Sequence, residues 1–496
     1  MSDILAEFKI FFSNFNARFG TLVNIILWLA VLALVLSVFI RAIAAGYARR
    51  KKTPVKVRRP DDSTCEHACE SLSQAIRIPT VTGSAAELER LYELLKRSYP
   101  RVFSTLGVLH LPSGSILMRW KASERTEQLP VMFCAHLDVA PAGDGWNEDP
   151  FGGMRRDGRI YGRGAVDCKG TVIALLEAVD MLLQEGFVPR RDIYFSFGHD
   201  EETGGFEGAA AISDLLTKRG LSFDMILDEG GCIVKEHLGD KGFPAALIAL
   251  GEKLSCSFTL TSSAKGGSAS APPARSAFGV LAEAVCRLEA AHMRCRILPI
   301  THEYLRQSAP AMSFGKRLIA ANMPIFNKFF PAAFKNNRRI LALLRTTMIT
   351  TSLSADNAES MLPYHARAVV NARLLPGDTP QSVLRHISEL LSDLPVDVAM
   401  THSDEKHVPI TPTSHPMYQL LCRTLTEQYP SLTCVPTLTT ESTDSRHYRH
   451  LSDCVIRFRP FFEDNDDTPP HAANESVSEL SLGAAVDLYA AFIKKL

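Results

Sequence analysis

Seven side chains far apart along the chain are of types that do metal chemistry. His136 and Asp138 close the segment LPVMFCAHLDVA, and Asp167 sits in the glycine-bearing turn GRGAVDCKG. Glu201 and Glu202 are adjacent in FGHDEE, Asp228 lies in FDMILDEGG, and His471 in PPHAANE. Imidazole nitrogen and carboxylate oxygen are donors that zinc accepts, with an open position kept for catalysis. Two zincs ~3.5–4 Å apart need a bridging carboxylate and further ligands on each side. Asp138 follows His136 closely enough to orient it through the second ring nitrogen. Taken singly these residues say little, because a lone histidine is more often structural and paired acids are usually a solvated strand end. Taken as a set, they point to metal-assisted hydrolysis.

The elements that must position them alternate. LPVMFCAHLDVA, RDIYFSFGHDEE and FDMILDEGG have short apolar runs ending in polar residues, while TVIALLEAVDMLLQEG has helical spacing and stops at Gly186. Strands separated by helices predict a mainly parallel α/β sheet. Ligands in such sheets collect beyond the carboxyl ends of the strands, and all three strands end in candidate ligands. LSCSFTLTSS and ARAVVNARLLPG read as strands of a second, inserted α+β unit, and the final helix is LSLGAAVDLYAAFIKKL. The expected division is 1–18, an anchor at 19–40, a basic linker at 41–62, a catalytic domain at 63–248 and 406–496, and a lid at 249–405.

Lys plus Arg total 54, as do Asp plus Glu, so nothing in the charge suggests a nucleic-acid partner. The 11 cysteines are an odd number and read as reduced thiols. Cys65 and Cys69 bracket His67, which a helix with cysteines one turn apart explains better than a metal cluster. The sequon Asn474-Glu475-Ser476 lies beside His471, where a glycan would block the site. From Phe19 to Ile40 no residue is charged. Such a run of ~20 apolar residues, rising ~1.5 Å each, spans a ~30 Å hydrocarbon core. It predicts a single-pass transmembrane helix in a lipid bilayer. Arg41, Arg49, Arg50, Lys51, Lys52, Lys56, Arg58 and Arg59 follow it, against Lys9 and Arg18 before, which predicts a cytoplasmic soluble domain.

HLDVAP, GRGAVDCKG, FGHDEETGG, LDEGG and PHAANE resemble, in order, the motifs of the carboxypeptidase S, aminoacylase and desuccinylase family of zinc metallopeptidases. TDSRHY, at Thr443 to Tyr448, looks most like the carboxypeptidase S and N-fatty-acyl-amino-acid hydrolase branch. The resemblance implies two Zn2+ or another divalent metal, one held by His136, Asp167 and Asp228, the other by Asp167, Glu202 and His471. It makes Glu201 the general base and Asp138 the carboxylate behind His136. It implies that two chains pair through their lids. The substrate would be a small peptide or N-acyl amino acid, cut at the amide beside a free carboxylate. Arg373, in NARLLPGD, matches a family arginine that grips that carboxylate, a task suited to the guanidinium fork. Asn357, in SADNAESMLP, is a second candidate contact.

One departure stands out. The family usually has a histidine after the Gly-Gly of KGGSASAPP, reaching across to the oxyanion, and here the residue is Ser268. Losing such a donor costs ~10²–10³ in rate. Ser268 therefore motivates a rival reading, a catalytically impaired anchored binding module, and makes His447 a candidate substitute donor. A metal-dependent aminopeptidase is a third option and would need amine recognition in place of capture by Arg373. Between Glu303 and Asp356 the chain has basic and aromatic residues but no acid. A membrane contact or acyl pocket would use such a stretch, although an ordinary helical core with a solvated basic face is the preferred reading.

Overall fold

A computed structural model describes residues 2–47, 54–58, 61–124, 126–240, 242–326, 330–355, 361–403, 409–464 and 470–496. Helix α1 (Ser2–Tyr47) contains the apolar run and continues past it. Its segment Ile25–Tyr47 is 23 residues long with a mean hydropathy of 2.6, apolar enough to cross a membrane.

The rest of the chain follows the expected α/β plan. Strands β1 (Gly107–His110), β2 (Ile116–Trp120), β3 (Val131–His136), β4 (Ile193–Gly198), β5 (Met225–Val234) and β6 (Ala245–Glu252) precede the inserted unit. That unit contributes β7 (Leu254–Ser263), β8 (Thr347–Ala355), β9 (His365–Leu374) and β10 (Val396–Ser403). The chain then returns with β11 (Thr433–Thr439) and β12 (Val455–Glu463). The eight-stranded sheet has the order β1-β2-β4-β3-β5-β12-β6-β11. Its centre, β4, β3, β5 and β12, is parallel. VMFCAH in β3 and IYFSFG in β4 are buried at every position, as expected of parallel strands covered on both faces. On one face lie helix α2 (Lys169–Gln184) and the C-terminal helix Glu479–Ile493. On the other, Ala209–Lys218 packs its Ala209, Ile212 and Leu216 against Met132, Cys134 and Tyr194. Gly186, with φ +73°, takes the left-handed turn that stops the chain after α2.

The inserted unit is a four-stranded antiparallel sheet, β8-β9-β7-β10. LSCSFTLTSS buries alternate residues, Leu254, Cys256, Phe258 and Leu260, beneath Ala277–Ala290 and Pro380–Leu390. The helical stretch after it behaves differently. Ile300, Tyr304, Leu305, Met312, Ala320, Met323, Phe334 and Ile340 join the core around the eight-stranded sheet, not that of the four-stranded sheet. Within this stretch, α3 (Phe314–Ala321) lies next to α1, and α4 (Met323–Phe326) lies next to α3. Cys65, His67 and Cys69 fall on the helix Asp62–Ile76, where His67 Nδ1 meets Glu177 Oε2 at 2.7 Å.

Candidate metal centre

Register puts His136, the last residue of β3, opposite Gly198, the last of β4. The Glu201–Glu202 pair begins just beyond that strand end. His136 is fully buried, and its Nδ1 donates to the Asp138 carbonyl oxygen at 3.0 Å. The Asp138 carboxylate also faces Nδ1, at 3.3 Å, so the second ring nitrogen is turned into the site. Asp138 does a further job. Its Oδ1 accepts from the Glu201 backbone N–H at 3.1 Å. Its Oδ2 accepts from the Glu202 N–H at 3.1 Å and the Thr82 hydroxyl at 2.7 Å. One carboxylate thus fixes both the imidazole and the turn bearing the acid pair. Burial alone would raise its pKa, but the His136, Thr82 and Glu202 hydrogen bonds hold it below the ordinary value.

Asp167 divides its two oxygens. Oδ1 lies 3.0 Å from His136 Nε2, and Oδ2 lies 3.2 Å from His471 Nε2. His471 Nε2 is also 3.0 Å from Glu202 Oε2. The loops carrying Asp167 and His471 are tied by a buried ion pair, Arg163–Glu475, at 2.8 Å. Glu475 accepts from the backbone N–H groups of Val166 and Asp167 at 2.8 and 3.1 Å, and Arg163 donates to the His471 carbonyl at 3.0 Å. Both residues stand inside GRGAVDCKG and PHAANE, where reading by motif passes over them.

Asp228 and Glu229 exchange expected places. Asp228 is turned away from the imidazoles: its Oδ2 accepts from the Ser445 N–H at 2.7 Å and its Oδ1 from the Glu229 N–H at 2.9 Å. Glu229 Oε1 instead lies 3.3 Å from His136 Nε2. The reason is a break in the ladder. Arg457 of β12 pairs with Asp228 and the next residue, Phe458, with Gly231, so Glu229 and Gly230 bulge out of register. A bulge re-aims a side chain in this way.

The electrostatics fit divalent cations. Burial, with Asp167 beside it, pushes Glu229 up to about 7. Burial likewise pushes Glu201 well above the carboxylate range, with Glu229, Asp444 and Asp167 adding to it. Asp444 is 3 % exposed, and neither of its oxygens has a hydrogen-bond partner among the described residues. His471 is pushed up to about 11 by its bonds to Asp167 and Glu202. Acids this crowded and this dry demand positive charge between them and the imidazoles. Ligand atoms of His136, Asp167 and Glu202 lie within 4.8 Å of one another, as do those of His136, Cys168 and Glu229. Nitrogen and carboxylate donors in this arrangement suit zinc.

Residues 132–495 match the model of peptidase family M20/M25/M40. The chain belongs to that family. It is therefore a hydrolase of the M20 class, with the mainly parallel α/β fold of its members. Among curated relatives it is 35 % identical over 427 residues to the N-fatty-acyl-amino acid synthase/hydrolase PM20D1 of Homo sapiens, covering 82 % of this chain and 84 % of the other. It is 31 % identical over 415 residues to the probable carboxypeptidase S-like 2 of Dictyostelium discoideum, covering 82 % and 79 %. Among solved structures, the M20 family metallo-carboxypeptidase Sso-CP2 of Sulfolobus solfataricus superposes with a TM-score of 0.61 at 18 % identity, covering 86 % of this chain and 98 % of that one. The suspected family and branch are thus borne out, and nothing in these comparisons supports a catalytically impaired module.

Arg373, next to last in β9, has its Nη1 3.5 Å from Ser442 Oγ. Ser442 opens the segment whose Ser445 N–H holds Asp228. A cavity of about 470 Å³ lies alongside, lined by Phe206, Leu254, His402, Ser403, Arg446, His447 and Arg449. His447 Nε2 bonds the Gly204 carbonyl at 2.8 Å, which places this ring against the turn that bears Glu201 and Glu202. Gly205, at φ +66°, permits that approach, since a Cβ there would strike Asp444 and crowd His447. Ser268 is exposed on the two-residue strand Gly267–Ser268, its hydroxyl 2.8 Å from that of Ser270. Asn357 lies outside the described residues.

Proposed function

We propose that the chain is a dinuclear zinc hydrolase that cuts the amide of an N-acyl amino acid or small peptide next to a free carboxylate. The observation that carries this is the split of Asp167 between His136 and His471, with Glu201 adjoining. His136, Asp167 and Glu229 would hold one cation, and Asp167, Glu202 and His471 the other. Cations held there would supply Lewis acidity for amide hydrolysis. Glu201, seated by the Asp138 hydrogen bond to its backbone, takes the proton of the attacking water and hands it to the leaving nitrogen. Arg373 receives the substrate carboxylate as a bidentate partner. The acyl portion extends into the cavity between Phe206, Leu254 and His447. The names of the similar chains, one acting on N-fatty-acyl amino acids and one a carboxypeptidase, support this class.

The apolar helix serves as an uncleaved membrane anchor, with the soluble domain cytoplasmic by its flanking basic residues. Pairing through the lids is supported by the edge strand β8, which leaves Ile349 and Leu353 exposed.

The test uses the full chain in detergent with a panel of N-acyl amino acids and dipeptides, together with metal analysis. The expected result is about two zincs per chain, amino-acid release from the panel, and loss of release in Glu201→Gln with metal retained. Undiminished turnover by Glu201→Gln would overturn the assignment of the base.

A further inference from the structure

The acid-free stretch between Glu303 and Asp356 is not absorbed by the hydrolytic site, and its helices touch α1. Val38 and Ala42 are 7 % and 0 % exposed, although neighbours such as Phe39 and Ile40 on α1 are 45 % and 62 % exposed. What covers them is α3 and the turn after it. Asn322 is fully buried, and its Nδ2 donates to the Val38 carbonyl at 3.0 Å. The Phe39 and Phe314 rings lie 6.3 Å apart. Gly46 leaves room for the Arg317 guanidinium, which any Cβ would strike.

These contacts set a depth. The uncharged run of α1 ends at Ile40. At ~1.5 Å per residue, Val38 sits ~3 Å inside that end and Gly46 ~9 Å beyond it. A headgroup layer is ~5–7 Å thick on each side of a ~30 Å core. Helices packed on Val38 through Gly46 therefore lie at headgroup level. The surface they present suits that level. Phe314 and Ile325 are 47 % and 42 % exposed and Lys316 is exposed beside them, while Lys335, Arg338 and Arg339 are exposed further along the chain.

We propose that α3, α4 and the exposed basic residues Lys335, Arg338 and Arg339 form a second membrane contact, an interfacial platform that seats the α/β unit on an anionic leaflet. Apolar side chains enter the acyl boundary while lysines and arginines meet the headgroups. The platform rests on reading α1 as a membrane anchor. It replaces the preferred sequence expectation of an ordinary core with a solvated basic face: one side of these helices is core, and the other faces lipid.

The test places the full chain in lipid nanodiscs with bromine-labelled acyl chains, which quench tryptophan. Trp28, within the span, reports on the anchor as the difference between the parent chain and Trp28→Phe, which retains Trp120 and Trp146. In the Trp28→Phe background, with the emission of Trp120 and Trp146 subtracted, Phe314→Trp and Ile325→Trp report on the platform, and Leu129→Trp is the control. Lipids brominated near the carbonyl should quench positions 314 and 325 severalfold more than position 129. Anionic discs should quench them more strongly than zwitterionic ones, and replacing Lys316, Lys335, Arg338 and Arg339 with Gln should remove that difference. Hydrolysis of a water-soluble substrate at the parental rate shows that each variant is folded. Quenching of Trp28 without quenching at 314 and 325 overturns the platform and leaves the anchor standing. An unquenched Trp28 overturns the anchor and the platform together. Persistence of the anionic preference in the four-glutamine variant overturns the electrostatic part.

Discussion

Asp138→Asn isolates one carboxylate that serves two structures. The wild-type group is 0 % exposed and takes the Glu201 and Glu202 N–H groups, the Thr82 hydroxyl and the His136 Nδ1 side. An asparagine keeps one acceptor oxygen and turns an NH2 toward the other donors. If its oxygen stays on the Glu201 side, the Glu202 N–H meets an amide N–H, while Thr82 can rotate and accept. One backbone bond to a charged acceptor is then lost outright, about 1.5–3 kcal/mol, with a buried donor left over at about 1–3 kcal/mol. The expected loss of stability is about 2–5 kcal/mol. The His136 imidazole also loses its carboxylate partner, which costs about 10–100-fold in metal affinity. Denaturant unfolding of the apo chain measures the first quantity and competition with a chelator the second. Thr82→Val alone removes one hydroxyl donor and should cost about 1 kcal/mol without changing metal affinity. Asp138→Asn with parental stability and with zinc affinity unchanged would show that Asp138 supports neither the imidazole nor the acid turn.

Three further outcomes follow from the geometry. Glu229→Gln should lower bound zinc from about two per chain to about one, whereas Asp228→Asn should retain both and loosen residues 443–445; metal analysis giving the reverse would return the ligand role to Asp228. Burial pushes His237 down to about 4 from 6.5. Its neutral form therefore contributes stability that is whole above pH 6.5 and lost as pH falls through 4, at most about 3 kcal/mol. His237→Gln should flatten that part of the acid unfolding profile. Arg457 and Glu252 form a pair at 3.0 Å, 0 % and 1 % exposed. Arg457→Met should cost about 3–5 kcal/mol by stranding the acid, and Glu252→Gln added to it should recover much of the loss, as read by denaturant unfolding.

The convergence of His136, Asp167, Glu202 and His471 was legible because it follows from strand geometry. β3 and β4 pair in parallel with His136 level with Gly198, so two motifs that end strands must end together. The helix after Asp167 was legible from its apolar spacing and the stop at Gly186. The choice between Asp228 and Glu229 was not. Regular alternation along a strand treats neighbours as opposite-facing but does not say which faces the site, and the bulge at Glu229–Gly230 arises from pairing with β12, more than two hundred residues later in the chain. Arg163 and Glu475 were hidden for a related reason. They hold backbone, not ligand, and a residue that bonds main-chain atoms leaves no mark of its role in its type. The helical stretch 299–344 was assigned to the lid by its place in sequence, yet its side chains fill the catalytic core. Sequence adjacency to β7 and β8 carried no information about which core those helices would join.

The buried acids connect these observations. Asp167, Glu201, Glu229 and Asp444 are close enough to raise or oppose one another's ionisation. A cluster of this kind is unfavourable by itself, because each carboxylate loses water and gains a like charge. The fold therefore spends part of its marginal stability in holding the cluster open. The Arg163–Glu475 pair, the Asp138 bonds and the Ser445 N–H on Asp228 are the restraints that keep it from spreading. Cations that bind the folded site and not the unfolded chain recover that cost as binding free energy. Metal affinity and fold stability are thus two readings of one arrangement. A substitution that relaxes a restraint, such as Asp138→Asn, should therefore weaken metal binding and the apo fold together.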